Sequence, residues 1–117
     1  MRHHDKFSTL GRERGQRRSL VKSLVRSLVL HEGITTTETR AKELRMFIEP
    51  LVTKALDATL ANRRLIVSRI GDEKAAKKLI EKIAPAYKGR PGGYTRVVKL
   101  PLRKTDGAKM AHIQFVK

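Results

Sequence analysis

Residues 19–30 repeat one unit: Ser19-Leu20-Val21-Lys22, then Ser23-Leu24-Val25-Arg26, then Ser27-Leu28-Val29-Leu30. Four residues turn an α-helix by roughly 400°, so each unit lands about 40° past the one before. The Leu/Val pairs therefore form one broad, slowly drifting apolar face that must be buried against something. Arg18, Lys22 and Arg26 line one edge of that face, and Ser19, Ser23 and Ser27 cover the rest. The repeat predicts a helix over residues 16–31, stopped by Gly33 as its C-cap.

The remaining chain supplies the partners for that face. Ile34-Thr35-Thr36-Thr37 is short and β-branched, which predicts a strand, and Thr37 is placed to cap a second helix. That helix carries Ala41, Leu44, Ile48, Leu51, Val52 and Ala55 as an i, i+3, i+4 stripe. Pro50 removes one backbone hydrogen bond, but the apolar register continues past it, so a kink is expected rather than a stop. A short helix over residues 61–70 ends at Gly71. Asp72 caps the next, whose core residues are Ala76, Leu79, Ile80 and Ile83 and which Pro85 closes. Lys74, Lys77 and Lys78 read as its solvated face. After a loop at residues 88–93, strands are predicted over 94–100 and 109–116, with a turn at Asp106-Gly107 and with Ala111, Ile113 and Phe115 facing the core. The order helix, strand, three helices, two strands implies an α+β domain with helices on one face of a small sheet.

The chain has 117 residues, the size of one ordinary domain. Residues 1–15 show no period and carry isolated basic residues, so they read as a basic N-terminal arm, with a single domain over 16–117. Aromatics are 4% with no Trp, so the core is expected to be Leu, Ile, Val and Ala.

Lys and Arg number 27 against 11 acids, a net charge of +16. Such a chain repels itself when compact and makes sense against a polyanion, either nucleic acid or an anionic membrane. The membrane reading fails on the first helix, which lacks interfacial Trp and Phe and needs its Leu/Val face for the core. The absence of Cys excludes disulfides and Cys-based zinc sites and fits a reducing compartment. The N-terminus has no secretory pattern, and no stretch approaches the roughly 20 apolar residues of a membrane span, so a cytoplasmic location is expected.

Catalysis finds little support. No Ser sits in a nucleophile-elbow context, and Glu38, Glu43 and Glu49 lie among Arg40, Lys42 and Arg45, where local ion pairing is their simplest role. Gly89, Gly92 and Gly93 lack the Lys-Ser/Thr of a phosphate-binding loop. No enzyme activity, cofactor, metal or small-molecule substrate is expected. A free terminus with His3 wraps Cu(II) in a square plane of nitrogens, but any Met-Arg-His start does so, and His3 is read as a hydrogen-bonder to RNA.

The basic residues are more specific. Arg2, Lys6, Arg12 and Arg14 mark the arm, Arg17-Arg18 and Lys22 the first helix, and Arg63-Arg64 a second arginine pair. Guanidinium groups fork onto phosphate oxygens and stack on bases. Arg90-Pro91-Gly92-Gly93-Tyr94-Thr95-Arg96 sets an aromatic ring among arginines in a glycine loop, a pattern suited to splayed RNA bases. The same loop also reads as a tight turn into a strand, with Tyr94 in the core.

Together these residues resemble the bacterial large-subunit ribosomal protein seventeen family. The resemblance rests on Met1-Arg2-His3, Ile34-Thr35-Thr36-Thr37, Ala41-Lys42-Glu43-Leu44-Arg45 with Glu49-Pro50-Leu51, Ala61-Asn62-Arg63-Arg64 and Gly92-Gly93-Tyr94-Thr95-Arg96. It implies an α+β domain with a three-stranded mixed sheet. It also implies a structural role on large-subunit ribosomal RNA beside neighbouring large-subunit proteins. Lys42 and Arg45, in the second-helix motif, join the expected RNA contacts, as do Arg90, Tyr94 and Arg96. The alternative is a histone-like or regulatory DNA-binding protein, though no segment makes a convincing recognition helix after a tight turn.

Replacing Arg2, Lys6, Arg12, Arg14, Arg17 and Arg18 with Ala is expected to flatten the log-affinity versus log-salt plot by roughly 0.7–0.9 for each phosphate no longer neutralised. Filter binding to ribosomal RNA over a salt series measures this, and an unchanged slope would remove the arm from the interface.

Overall fold

The computed structural model describes residues 14–116. Arg2, His3, Lys6 and Arg12, and with them most of the expected arm, lie outside the described residues. Helix α1 runs Arg14–His31, strand β1 Gly33–Thr37, α2 Glu38–Leu56, α3 Leu60–Ile70 and α4 Glu73–Lys78. Strands β2, Thr95–Leu100, and β3, Met110–Phe115, complete the chain. Helix α1 thus begins at Arg14, within the last residues of the span read as the arm.

The Leu/Val face of α1 is buried as its repeat requires, with Val25, Leu28 and Val29 in the core and Val21 and Leu24 packed against it. The α2 stripe is buried at all six expected positions, Ala41 through Ala55, and the helix passes through Pro50 without ending. Helix α2 is the centre of the molecule, packing on α1, on α3 and on all three strands. The sheet lies under it. Ala111, Ile113 and Phe115 of β3 are buried, while Met110, His112 and Gln114 alternate onto the face without helices.

The sheet order is β1-β3-β2 and both pairings are antiparallel. The expected mixed sheet is therefore corrected. β1 and β2 do run in the same direction, but β3 folds back from β2 and inserts between them, so no parallel ladder forms. The mainly aliphatic core also holds rings, with Phe115 inward as its alternation predicts. Tyr94 is among the largest fully buried side chains, and Tyr87 and Phe115 are buried beside the aliphatic residues. The two tyrosine rings meet at 5.3 Å between centroids, tilted by 59°, an arrangement their quadrupoles favour.

Helix ends follow local chemistry with two exceptions. Gly71 closes α3 in a left-handed conformation (φ 76°), and the Asp72 carboxylate accepts from the Lys74 N–H at 3.0 Å. Thr59 caps α3 by accepting from the Asn62 N–H at 3.2 Å. The first exception is Gly33. The left-handed residue after α1 is Glu32 (φ 63°), whose N–H reaches the Leu28 carbonyl. Gly33 already belongs to β1, and a β-carbon there would stand 3.0 Å from His112 Nε2. Its bareness serves strand crowding, not the cap. The second exception is Thr37, whose side chain makes no cap bond. It is still paired with Met110 in the sheet, and the Glu38 N–H goes instead to the Lys109 carbonyl at 2.9 Å.

Beyond α4 the chain continues as a wide π-helical turn, Leu79–Ile83, and a tight 3₁₀ turn, Ala84–Tyr87. Pro85 explains the change of pitch, since it has no N–H and its ring crowds the carbonyl four residues back. Lys78 is not a solvated residue. Its ammonium donates to the Leu30 carbonyl at 2.8 Å and lies 3.6 Å from Glu32, so it caps the negative end of α1 from another helix.

Gly33→Ala is expected to cost about 1 kcal/mol through its clash with the His112 ring, and the two sites should couple, since contacting residues do not add independently. The His112 ring is held by Thr35 at 3.1 Å and does not swing away freely. In a His112→Ala background the Gly33→Ala cost should largely vanish, as read by urea denaturation of the four proteins in the cycle.

Candidate nucleic-acid interface

Arg14, Arg17 and Arg18 project from the opening turns of α1, a helix whose first turn contains no acid. The positive end of the helix dipole and three guanidinium groups thus coincide, an arrangement that disfavours the helix alone and favours an anion beside it. Arg69, in the last turn of α3, joins them around one open groove of about 450 Å³. Val21, Met46, Phe47 and Pro50 form the apolar part of its lining, and Glu43 completes the wall. Met46 is 44% exposed, and Pro50 is exposed as well. The groove joins three helices and combines a cationic rim with a greasy floor.

The other expected contacts are dispersed over the surface. Lys22 lies with its stem 3.6 Å from where a Gly71 β-carbon would stand, at the turn between α3 and α4. Lys42 pairs with Glu38 at 3.0 Å, and that hydrogen bond, reinforced by the charges of Lys42, Lys99 and Lys109, holds the Glu38 carboxyl below its ordinary range. Exposed pairs of this kind contribute little, so the pairing with Glu38 holds Lys42 only weakly. Arg45 sits 3.7 Å from Glu49. Arg63 donates through Nε to the Ala58 carbonyl at 3.3 Å and lines a second hollow with Lys88 and Glu81, while Arg64 is exposed on α3. Arg90 folds back on its own loop, donating from Nε to the Gly92 carbonyl at 3.2 Å. Arg96 is exposed on β2, opposite Gln114.

Tyr94 is corrected as a stacking residue. It is 1% exposed. Its hydroxyl donates to the Arg90 carbonyl at 3.0 Å and meets Thr53 Oγ1 at 3.2 Å, and its ring rests on Tyr87. The ring is therefore an anchor that shapes the glycine loop from inside. Gly93 takes φ 66°, with nothing but the Arg90 guanidinium within 4 Å of a β-carbon. The glycine is required by backbone conformation, not by crowding. Gly92 has open space around it.

The Glu49 carboxylate fixes this loop. It accepts from the Tyr94 N–H at 3.1 Å, the Thr95 N–H at 3.3 Å and the Thr95 hydroxyl at 2.9 Å. The expectation of simple ion pairing covered only its approach to Arg45. Arg69 was also missed, because nothing in its local sequence points toward residues some fifty positions earlier. Met46 and Pro50 carried a readable signal: they are apolar positions of α2 that lie off its buried stripe.

Among the described residues no cluster of His, Cys, Asp or Glu is arranged to hold a metal ion, and no helix is long and apolar enough to cross a membrane. The chemistry on offer is the binding of phosphates and apolar ring faces. A small helix-on-sheet domain with this charge and this groove belongs to the class of basic proteins that pack against structured RNA. Residues 20–116 match the family described as Ribosomal protein L17, and the chain belongs to that family. It is 50% identical over 116 residues to a protein of Rickettsia bellii named large ribosomal subunit protein bL17, covering 99% of this chain and 82% of that one. A protein of the same name from Gemmatimonas aurantiaca is 46% identical over 99% of this chain and 98% of its own length.

Tyr94→Phe and Gly93→Val are expected to act on folding alone. The first removes the hydroxyl's bonds, about 1 kcal/mol; the second forces a β-branched residue into the left-handed region, about 1–3 kcal/mol. Calorimetry of the free proteins should show lowered Tm, with RNA affinity of the folded fraction unchanged. A normal Tm with poor RNA binding would restore a direct RNA role for the loop.

Proposed function

We propose that this protein is a structural constituent of the large ribosomal subunit, binding and stabilising large-subunit ribosomal RNA beside neighbouring subunit proteins in the cytoplasm. It acts by binding, without turnover. The observation that carries this reading is where the charges go. Glu32, Glu38, Glu49, Asp72 and Asp106 are tied to structural partners within the chain. Asp106 is held so firmly by the Arg103 fork and the Ala108 N–H that its pKa is pushed down to about 2. The guanidinium groups of α1 and α3 converge instead on an open groove. The near full-length relationship to proteins named for the large subunit supports the same reading.

Of the residues singled out in the sequence, Arg14, Arg17 and Arg18 are the contacts best supported by geometry, and Arg69 is added to them. Lys22, Lys42, Arg45, Arg63, Arg64, Arg90 and Arg96 are proposed as peripheral phosphate contacts. Arg2, His3, Lys6 and Arg12 are proposed as contacts of the arm, residues 1–15, attached to one domain over 16–117.

A tagged copy expressed in bacteria is expected to sediment with large ribosomal subunits in a sucrose gradient and to stay there in high salt. Charge reversal at Arg14, Arg17 and Arg18 should shift it toward the free fractions. A wild-type protein found only in free fractions, or with chromosomal DNA, would overturn the proposal.

A further inference from the structure

The groove between α1, α2 and α3 has a feature that phosphate binding alone does not require. A surface that meets only the RNA backbone needs cations, and it gains nothing from an exposed apolar floor. Here Met46 is 44% exposed and Pro50 is exposed beside it, one helical turn further along α2, with Phe47 on the same lining. We propose that this groove receives the base of one unpaired nucleotide of ribosomal RNA, its ring against Met46, Phe47 and Pro50. The flanking phosphates then lie on Arg14, Arg17, Arg18 and Arg69. The proposal rests on the RNA-binding reading above and gives it a specific ligand.

Size and charge agree. The groove's volume of about 450 Å³ falls in the range that holds a small ring-bearing ligand, roughly 300–1,000 Å³. Unstacked bases are what RNA offers to such sites, and thioether, ring and guanidinium faces are what proteins offer in return. The rim argues against an apolar protein segment, which would desolvate four guanidinium groups and return no charge. Residues 1–13 are poor occupants because their basic residues, Arg2, Lys6 and Arg12, outnumber Asp5 and Glu13 and would be repelled by that rim.

Two measurements decide it. A photoreactive benzoylphenylalanine at position 46, in protein assembled into large subunits, is expected to crosslink to one ribosomal RNA nucleotide, mapped by reverse-transcriptase stops. The yield should fall severalfold when Arg17 and Arg69 are both changed to Gln. Separately, Met46→Gln keeps size and charge but removes the exposed thioether from the apolar floor. It should weaken binding of purified protein to large-subunit RNA about tenfold with an unchanged salt slope, since the slope counts neutralised phosphates and none is lost. Arg17→Gln and Arg69→Gln should each flatten the slope by roughly 0.7. A crosslink to a neighbouring protein or to residues 1–13, no crosslink, or wild-type affinity for Met46→Gln each overturns the proposal. Failure of the wild-type protein to enter large subunits would sink the parent reading. Normal entry without an RNA adduct at position 46 sinks this inference alone.

Discussion

The Glu49 carboxylate holds together two parts of the chain that are 45 residues apart. It accepts two backbone N–H groups and one hydroxyl at the start of β2, so it does for that strand what a cap does for a helix. An ionised acceptor makes such bonds stronger than neutral ones. Their effect spreads in both directions. Inward, they seat Tyr94 on Tyr87, and the Tyr94 hydroxyl then ties α2 through Thr53 to the Arg90 carbonyl. Outward, they set the register in which β2 meets β3, and β3 in turn meets β1. The glycine loop, the sheet and the central helix share this one fastening.

The same helix turn that supplies Glu49 supplies Pro50 and Met46. One face of α2 therefore fastens the sheet while the neighbouring face opens the groove against α1 and α3. The division of charge follows from the same economy of positions. Glu32, Glu38, Glu49 and Asp106 sit where they accept from a backbone N–H or pair with a neighbouring cation, while Arg14, Arg17 and Arg18 of α1 and Arg69 of α3 face the groove. A compact protein of charge +16 is under self-repulsion that a polyanion relieves. Placing arginines at the positive end of α1 concentrates that demand at one end of one helix.

Much of the site was legible in local patterns, and the failures share a cause. The basic opening of α1 and the glycine loop were both visible as composition within a few residues. What could not be seen was direction. Tyr94 looks the same in sequence whether its ring faces solvent or Tyr87, and only the pull of Glu49 on its N–H decides. Lys78 looks like its neighbours Lys74 and Lys77, and only the arrival of the α1 carbonyl end distinguishes it. Arg69 became part of the groove because α3 packs back against α1.

The sequence by itself determined the elements. The four-residue repeat required a helix with a buried face, the stripe through Pro50 required another, and alternation at Ala111, Ile113 and Phe115 required a strand with one side inward. Those signals are local because helix and strand periods are set by backbone geometry within a few residues. Only the tertiary structure decided the antiparallel order β1-β3-β2, the burial of Tyr94, and the meeting of Arg14, Arg17, Arg18 and Arg69 over Met46 and Pro50. These depend on pairings between residues far apart in the chain, whose partners are selected by packing and charge in three dimensions rather than by any spacing along one.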